Sequence, residues 1–264
     1  LYNCFKQLNL CRLFPQTAMR HIMAILISAF SLGYHGKTID FEKYSPCHRT
    51  NVSHFLNKGK WDDPKLEDIL KSTVIQFIYK EAQLSGKPVF CIVDDTISSK
   101  TKPSSRALHP IEDAYFHQSH LKGKQDYGHQ AVAVMLSCNG IVLNYTIVMY
   151  DKSKSKVKIV QEIADELPVP PVVSYFLDKY VERWPIEVFF RQSKDKLAFD
   201  RYQVRSSKGI RRYWLLMSLV HLVACTGCGE VMSFEDGYAY IYSHIQEERL
   251  RFIYQCGARQ VLFY

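Results

Sequence analysis

The sequence contains no apolar run long enough to cross a lipid bilayer. Its longest apolar stretch, Trp214 to Cys225, is interrupted by His221 and is shorter than the roughly 20 residues that a membrane span needs. The chain begins at Leu1 without the basic, apolar and small-residue progression of a secretory signal peptide, and we expect a fragment of a longer protein. We therefore expect no membrane partner and a cytoplasmic location.

A disulfide framework and low-complexity tracts are also lacking. The eight cysteines are scattered, most of them inside apolar runs where cysteine behaves as a small hydrophobic residue. Cys225 and Cys228 have the spacing of half a zinc site, but no second pair or histidine cluster lies near enough in sequence to complete it. These features predict a reducing compartment and a core or helix-end position for this pair.

The composition is that of a globular, basic protein. Hydrophobic residues make up 47% of the 264 positions, which is enough to bury a large core, and the formal net charge is +8. Lysine and arginine set against phosphates release condensed counterions, so this charge suits a polyanionic partner such as DNA. A merely soluble basic protein is the alternative that charge alone leaves open.

The first 85 residues are predicted to be helical. Apolar residues recur at three- and four-residue steps from Gln16 to Tyr34, and further helices are predicted for Arg49 to Asn57 and Pro64 to Gln83. Basic turns at His48-Arg49 and Lys58-Gly-Lys60 favour a small DNA-binding bundle. A helical cap on the following domain is the alternative.

From Gly86 onwards the pattern changes to strands. Val89 to Val93 is an apolar run of β-formers that stops at Asp94-Asp95-Thr96, which predicts a buried strand ending in carboxylates. A polar loop is predicted from Ile97 to Tyr127. Gln130 to Ser137 and Ile141 to Tyr150 then flank Asn139-Gly140, a strong hairpin signal.

The remaining chain is predicted to be mostly helical. A helix from Lys154 to Leu167 precedes a strand from Val172 to Leu177, and helices follow at Asp178 to Phe199, Ser207 to Thr226 and Ser233 to Tyr264. This order predicts an α/β (α+β) fold with an RNase H-like mixed sheet flanked by helices. Three regions are expected: helical 1–85, a catalytic domain at 86–212 and a helical C-terminal region at 213–264.

The predicted helix after Asp178 carries four regularly spaced polar residues. Tyr180, Arg183, Glu187 and Lys194 match the pattern Tyr-x2-Arg-x3-Glu-x6-Lys without a gap. At about 100° per residue all four fall within about 60° of one another around the helix. Pro185 has to lie in a first helical turn or introduce a kink. A solvated helix face is the alternative for any one of these residues taken singly.

This pattern resembles the signature of one large branch of bacterial insertion-sequence DDE transposases. The similarity extends over Asp178 to Ser206 and back through Asp94-Asp95-Thr96 and the hairpin. It implies a triad of two Asp and one Glu that holds two Mg²⁺ or Mn²⁺ ions about 4 Å apart for phosphodiester cleavage and strand transfer.

The resemblance also implies which residues fill these roles. Glu187 would be one catalytic metal ligand, and Asp94 or Asp95 another, with period-two alternation putting the two aspartates on opposite faces. Double-stranded DNA at the transposon ends would be bound by Tyr180, Arg183 and Lys194. A homodimer on DNA is compatible with this arrangement.

The chain departs from the family at the second aspartate. An inserted, mostly β region should follow a strand such as Val172 to Leu177, but here Leu177 leads directly into Asp178, and 92 positions separate Asp95 from Glu187. An internal deletion is the simplest account, with Asp178 as a candidate replacement. We expect a transposase with low or no activity; the alternatives are a non-catalytic DNA-binding remnant and a structural helical protein without a nucleic-acid role.

Overall fold

Helices form the N-terminal part of the protein. The computed structural model describes residues 8–31, 33–108, 110–119, 123–168, 184–227 and 231–261. Within them, five helices precede the sheet: α1 (Leu10–Leu13), α2 (Gln16–Ala29), α3 (Thr38–Glu42), α4 (Arg49–Asn57) and α5 (Asp63–Ser85). The predicted bounds of α4 are confirmed, and α5 extends slightly beyond its predicted ends.

Helix α2 ends five residues before the predicted Tyr34. The Ser31 hydroxyl donates to the carbonyl oxygen of Ile27 at 2.6 Å, which is the acceptor that the Ser31 amide would use in a continuing helix. The Ser31 amide bonds instead to the carbonyl of Ser28. The helix therefore ends before its apolar pattern ends.

The sheet has four described strands, which are all antiparallel. They are β1 (Phe90–Ser99), β2 (Tyr115–Ser119), β3 (Lys124–Cys138) and β4 (Ile141–Tyr150). The long strand β3 pairs with β1 along one side and with β4 and β2 along the other. The predicted hairpin is confirmed, with positive φ angles of 49° at Asn139 and 82° at Gly140 as a two-residue turn requires.

The prediction of a continuous loop from Ile97 to Tyr127 was wrong in part. Strand β1 continues to Ser99, β2 lies within the predicted loop, and β3 begins at Lys124. Gly128 allows β1 and β2 to pair with β3 at the same position, because it lies opposite Ser99 on one side and opposite Tyr115 on the other. A Cβ atom at Gly128 would collide with the carbonyl oxygen of Ser98, so only glycine permits this close approach of β1 and β3.

Four described helices follow the sheet: α6 (Lys156–Asp165), α7 (Trp184–Asp195), α8 (Ser207–Thr226) and α9 (Phe234–Val261). The predicted bounds of α8 are confirmed. Helix α7 ends before the predicted Phe199 because Ala198 adopts a left-handed conformation (φ 50°) and the amide of Phe199 bonds back to the carbonyl of Ser193. The predicted strand at 172–177 and the start of the predicted helix at 178–183 lie outside the described residues.

Helices cover both faces of the sheet. Ile92, Met135 and Asn144 are neighbours across β1, β3 and β4 and therefore share one face. On that face Ile92 packs against α7, and the Asn144 amide donates to the Ser218 hydroxyl of α8 at 3.0 Å. The opposite face includes Thr146, whose hydroxyl bonds to α5. The chain is thus a mixed α/β protein with an antiparallel sheet between helices.

One buried core connects all three predicted regions. A single apolar cluster contains Ile25 of α2, Ile78 of α5, Val134 of β3, Leu219 of α8 and Ile245 of α9. A second, smaller cluster joins β1 and β3 to α7. None of the helices in the described parts of the chain is long and apolar enough to cross a membrane.

The Arg212 side chain ties α8 to the N-terminal helices. It is 1% exposed, and its Nε and Nη2 donate to Asp63 Oδ1 at 3.0 and 2.6 Å. The guanidinium also donates to four backbone carbonyls, those of Phe55, Leu56, Gly59 and Trp61. The buried Arg212 side chain therefore provides hydrogen-bond donors to carbonyl groups at the end of α4 and in the turn that connects α4 to α5.

We predict that Arg212→Met lowers the free energy of unfolding by about 3–5 kcal/mol, because it leaves a partly buried carboxylate and several carbonyls without their donor. Arg211→Met is the matched control: Arg211 is half exposed and bridges Asp113 and Asp151 at 3.5 and 3.8 Å, so its loss should cost less than about 1 kcal/mol. Urea denaturation of both variants measures the difference. Equal losses would contradict the role given to Arg212.

Candidate metal and nucleic-acid site

Strand β1 places Asp94 and Asp95 in mid-strand. Asp94 lies opposite Ala133 and Asp95 opposite Val132. The prediction that the strand stops at these carboxylates was wrong, because β3 continues to offer backbone partners as far as Gly128. Since side chains alternate along a strand, Asp94 and Asp95 point to opposite faces of the sheet.

Asp94 lies on the face that α7 covers. Its neighbours two residues away on that face are Ile92, which packs with Ile186, Phe189 and Phe190 of α7, and Thr96. The Thr96 hydroxyl accepts a hydrogen bond from Lys194 Nζ at 2.6 Å, which anchors the C-terminal end of α7. The helix and the strand therefore run in the same direction, with Asp94 between two contact points.

Glu187 lies on the same side of α7 as Lys194, at the edge of the buried face of the helix. It precedes Lys194 by seven residues, two helical turns, and therefore projects from the same side of the helix. It is exposed to solvent and lies in the first turn of α7 together with Pro185. Asp94 and Glu187, separated by 93 positions in sequence, thus lie on two elements that pack together.

Asp95 is held on the other face by two polar partners. Its Oδ1 accepts from Gln130 Nε2 at 2.6 Å and its Oδ2 accepts from Lys156 Nζ at 2.8 Å. Gln130 is buried, whereas the Asp95 and Lys156 side chains remain partly exposed. Sequence analysis missed Lys156, because nothing in the first turn of α6 distinguishes this lysine from its exposed neighbours.

Of the three residues that are predicted to bind DNA, the structure describes one. Tyr180 and Arg183 lie outside the described residues, as does Asp178, the candidate replacement for the second aspartate. Lys194 is partly buried beside Thr96. Of the three predicted DNA contacts, Lys194 is therefore the one that the structure places next to Asp94.

Among the described residues, no group of three or more His, Cys, Asp or Glu side chains is arranged to hold a metal ion. Asp94 and Glu187 supply hard carboxylate oxygens on two elements that pack together, and these two residues would be the ligands of any Mg²⁺ or Mn²⁺ bound there. A bound ion would act as a Lewis acid on water and on the phosphodiester.

A polar network joins the segment after α7 to the sheet. Lys100 Nζ donates to the carbonyl oxygens of Asp200 and Tyr202 at 2.6 and 3.1 Å and lies 3.6 Å from the centre of the Tyr202 ring. Burial lowers the pKa of Lys100 to about 8. Sequence analysis missed this lysine too, because its acceptors are backbone atoms about 100 residues away.

His129 completes this network in its neutral form. Its Nε2 lies 2.8 Å from the carbonyl oxygen of Glu112, which can only accept, so the ring proton is on Nε2. Its Nδ1 therefore accepts a hydrogen bond from the Tyr202 hydroxyl at 2.7 Å. Burial lowers the pKa of His129, in keeping with a neutral ring. The segment that follows α7 is thereby fixed to β1 and β3.

We predict that Asp94→Asn and Glu187→Gln each weaken Mn²⁺ binding by about tenfold or more, because each removes one of two carboxylate ligands. Asp95→Asn is the matched control, and it should change the Mn²⁺ affinity less than about twofold, since Asp95 faces α6. Electron paramagnetic resonance of free Mn²⁺ measures all three affinities. A larger loss with Asp95→Asn would contradict the assignment of the two faces.

A second prediction concerns His221, which packs between Phe189 of α7 and Phe234 of α9 with ring centres 4.9 and 5.1 Å away. Burial lowers the pKa of His221 from 6.5 to about 4. Between these pH values the unfolded chain binds a proton that the folded chain does not, so stability falls as pH drops.

His221→Phe should therefore flatten the dependence of unfolding free energy on pH in this range. His244→Phe, at an exposed position of α9, is the control and should leave the slope unchanged. Urea denaturation at several pH values measures both slopes. An unchanged slope in His221→Phe would show that another group causes the acid sensitivity.

The comparisons with known proteins found no match to this chain. No protein-family model matches this chain. Neither a curated protein nor a solved structure matches it. The function has to be inferred from the residues of the chain itself.

Proposed function

We propose that this chain is a transposase-type DNA-binding protein with an RNase H-like core, in which metal-dependent strand cleavage is weak or lost. The observation that carries the proposal is the packing of α7, the helix that contains Glu187, against the face of β1 that carries Asp94. A strand carboxylate and a helix carboxylate on two packed elements are the kind of ligands that divalent-cation chemistry on phosphodiesters needs.

The sheet order supports the RNase H-like part of the proposal. Strands β4, β3 and β1 are consecutive antiparallel neighbours with helices on both faces, and the acidic position lies on β1. The strand predicted at 172–177 lies outside the described residues, so the mixed character of the sheet stays a prediction.

Charge supports double-stranded DNA as the partner. Between Asp178 and Arg212 the sequence contains ten Lys or Arg and five Asp or Glu, and the whole chain has a net charge of +8. Phosphate neutralisation by these cations does not depend on an intact metal site. A homodimer on DNA and a cytoplasmic location, where bacterial DNA is found, belong to the same proposal.

The second candidate function is that of a non-catalytic remnant that occupies transposon ends. It is favoured by Asp95, whose two carboxylate oxygens already have partners in Gln130 and Lys156. With Asp94 and Glu187 alone, the two-ion geometry of the family is not supported. The two candidates differ in one property, because only the enzyme needs Mg²⁺ or Mn²⁺.

We predict salt-dependent binding of duplex DNA without added Mg²⁺. Lys194→Met should lower the slope of log affinity against log salt concentration by about 1, because one phosphate contact is lost. Thr96→Val is the matched control: it removes the partner of Lys194 but keeps the cation, so the slope should not fall. Fluorescence anisotropy measures both. If wild-type protein fails to bind DNA at low salt, both candidate functions are excluded.

Nicking of supercoiled plasmid tests the part of the proposal that concerns strand cleavage. We predict little or no nicking by the wild-type chain in Mn²⁺, because two carboxylates hold a divalent ion weakly. Gel electrophoresis after long incubation is the measurement, with Glu187→Gln as the control for contaminating nucleases. Strong nicking that disappears in Glu187→Gln would contradict the predicted loss of activity.

A further inference from the structure

An open depression of about 270 Å³ lies in the N-terminal region, away from Asp94 and Glu187. It is formed by the start of α2, by α4 and by the turn that follows α4. We call it the N-terminal depression. Five polar side chains form its rim: Thr17, His21, Asn51, His54 and Lys60. The aromatic rings of Phe55 and Trp61 contribute to its floor.

The chemistry of the rim favours an anion. It offers one ammonium group, two imidazoles, one amide and one hydroxyl, and no described residue that lines it is acidic. The nearest carboxylates in sequence are engaged elsewhere: Asp62 accepts from the amide of Lys65 at the start of α5, and Asp63 binds Arg212. Hydrogen-bond donors from several directions suit a tetrahedral phosphate group better than a neutral ligand.

His21 contributes a partly buried imidazole ring to the depression. Its Nδ1 is shielded from solvent and has no hydrogen-bond partner within the described part of the chain. Burial lowers the pKa of His21, and an anion beside the ring would favour the protonated form and raise that pKa again. The His21 ring therefore offers a built-in reporter of anion binding.

The floor is held rigid by a stack of rings. His21 stacks on Phe55 with ring centres 4.9 Å apart, and Phe55 stacks on Trp61 at 5.0 Å. The Arg212 guanidinium lies 4.7 Å from the centre of the Trp61 ring and binds the turn that carries Lys60. The rim residues are thus mounted on a preformed support, which reduces the ordering that a ligand has to impose.

We propose that the N-terminal depression binds a phosphate group of the DNA backbone, with His54 and Lys60 as its principal donors. The open shape fits a phosphate that belongs to a polymer, since an isolated small ligand is usually enclosed on most sides. This inference rests on the proposed function, because DNA supplies the phosphate. It adds a contact point distant from the acidic residues.

The test uses the full chain and a double variant, His54→Ala with Lys60→Ala. Both side chains are exposed, so the fold should persist, and circular dichroism checks this. Lys65→Ala is the matched control, because Lys65 is an exposed lysine five residues away that does not line the depression. Fluorescence anisotropy with a DNA duplex measures affinity, and nuclear magnetic resonance follows the His21 ring in inorganic phosphate against chloride at equal ionic strength.

We expect the double variant to lose about tenfold in DNA affinity, with a salt slope lowered by one to two contacts, and the control to lose less than about threefold. Inorganic phosphate should raise the pKa of His21 in the wild-type chain and not in the double variant. If the double variant binds DNA as tightly as the wild-type chain does, the proposed phosphate site is wrong, whereas the proposed function still stands. A His21 response to phosphate without an effect on DNA affinity would assign the site to free phosphate. Absence of DNA binding by the wild-type chain would overturn the proposed function.

Discussion

The packing of α7 against one face of β1 is the contact on which the candidate site depends. Apolar side chains of α7 bury Ile92, and the hydrogen bond from Lys194 to Thr96 fixes the far end of the helix. The apolar contact supplies most of the driving force, while the polar contact sets the position of the helix along the strand. Asp94 lies between these two points, on the face of β1 that α7 covers.

Alternation along β1 divides the two adjacent aspartates between two roles. Asp94 lies on the face that α7 covers, and we propose it as a metal ligand together with the solvent-exposed Glu187. Asp95 faces α6 and forms a hydrogen-bonded ion pair with Lys156 that is partly exposed, which contributes modestly to stability. Under the proposed function, this division leaves the positive charge available for DNA but fewer metal ligands than the transposase resemblance implies, and we expect DNA binding to persist where cleavage is lost.

Local signals in the sequence predicted much of the fold. Asn139-Gly140 identified the hairpin, and three- and four-residue apolar spacing gave the bounds of α4 and α8. The end of β1 was wrong because carboxylates are poor strand formers, yet β3 supplies backbone partners beyond them. Strand β2 was missed because its pairing depends on Gly128, whose close contact with Ser98 is not a local property.

The candidate site was predictable only in part. Glu187 and Lys194 follow from the helical spacing of the motif, and the choice between Asp94 and Asp95 needed the register of β1 against α7. The contact of Lys156 with Asp95 could not be predicted from sequence, because it depends on how α6 packs and the two residues are 61 positions apart. Tyr180 and Arg183 lie outside the described residues, so their role remains a prediction.

The central claim is that Asp94 and Glu187 share one cation. Crystals of the protein soaked in Mn²⁺ and measured at the manganese absorption edge test it most directly, because the anomalous difference map locates the ion. The account predicts a peak within about 2.5 Å of carboxylate oxygens from both residues. A peak between Asp95 and other ligands, or none at a Mn²⁺ concentration that saturates binding in solution, would contradict it.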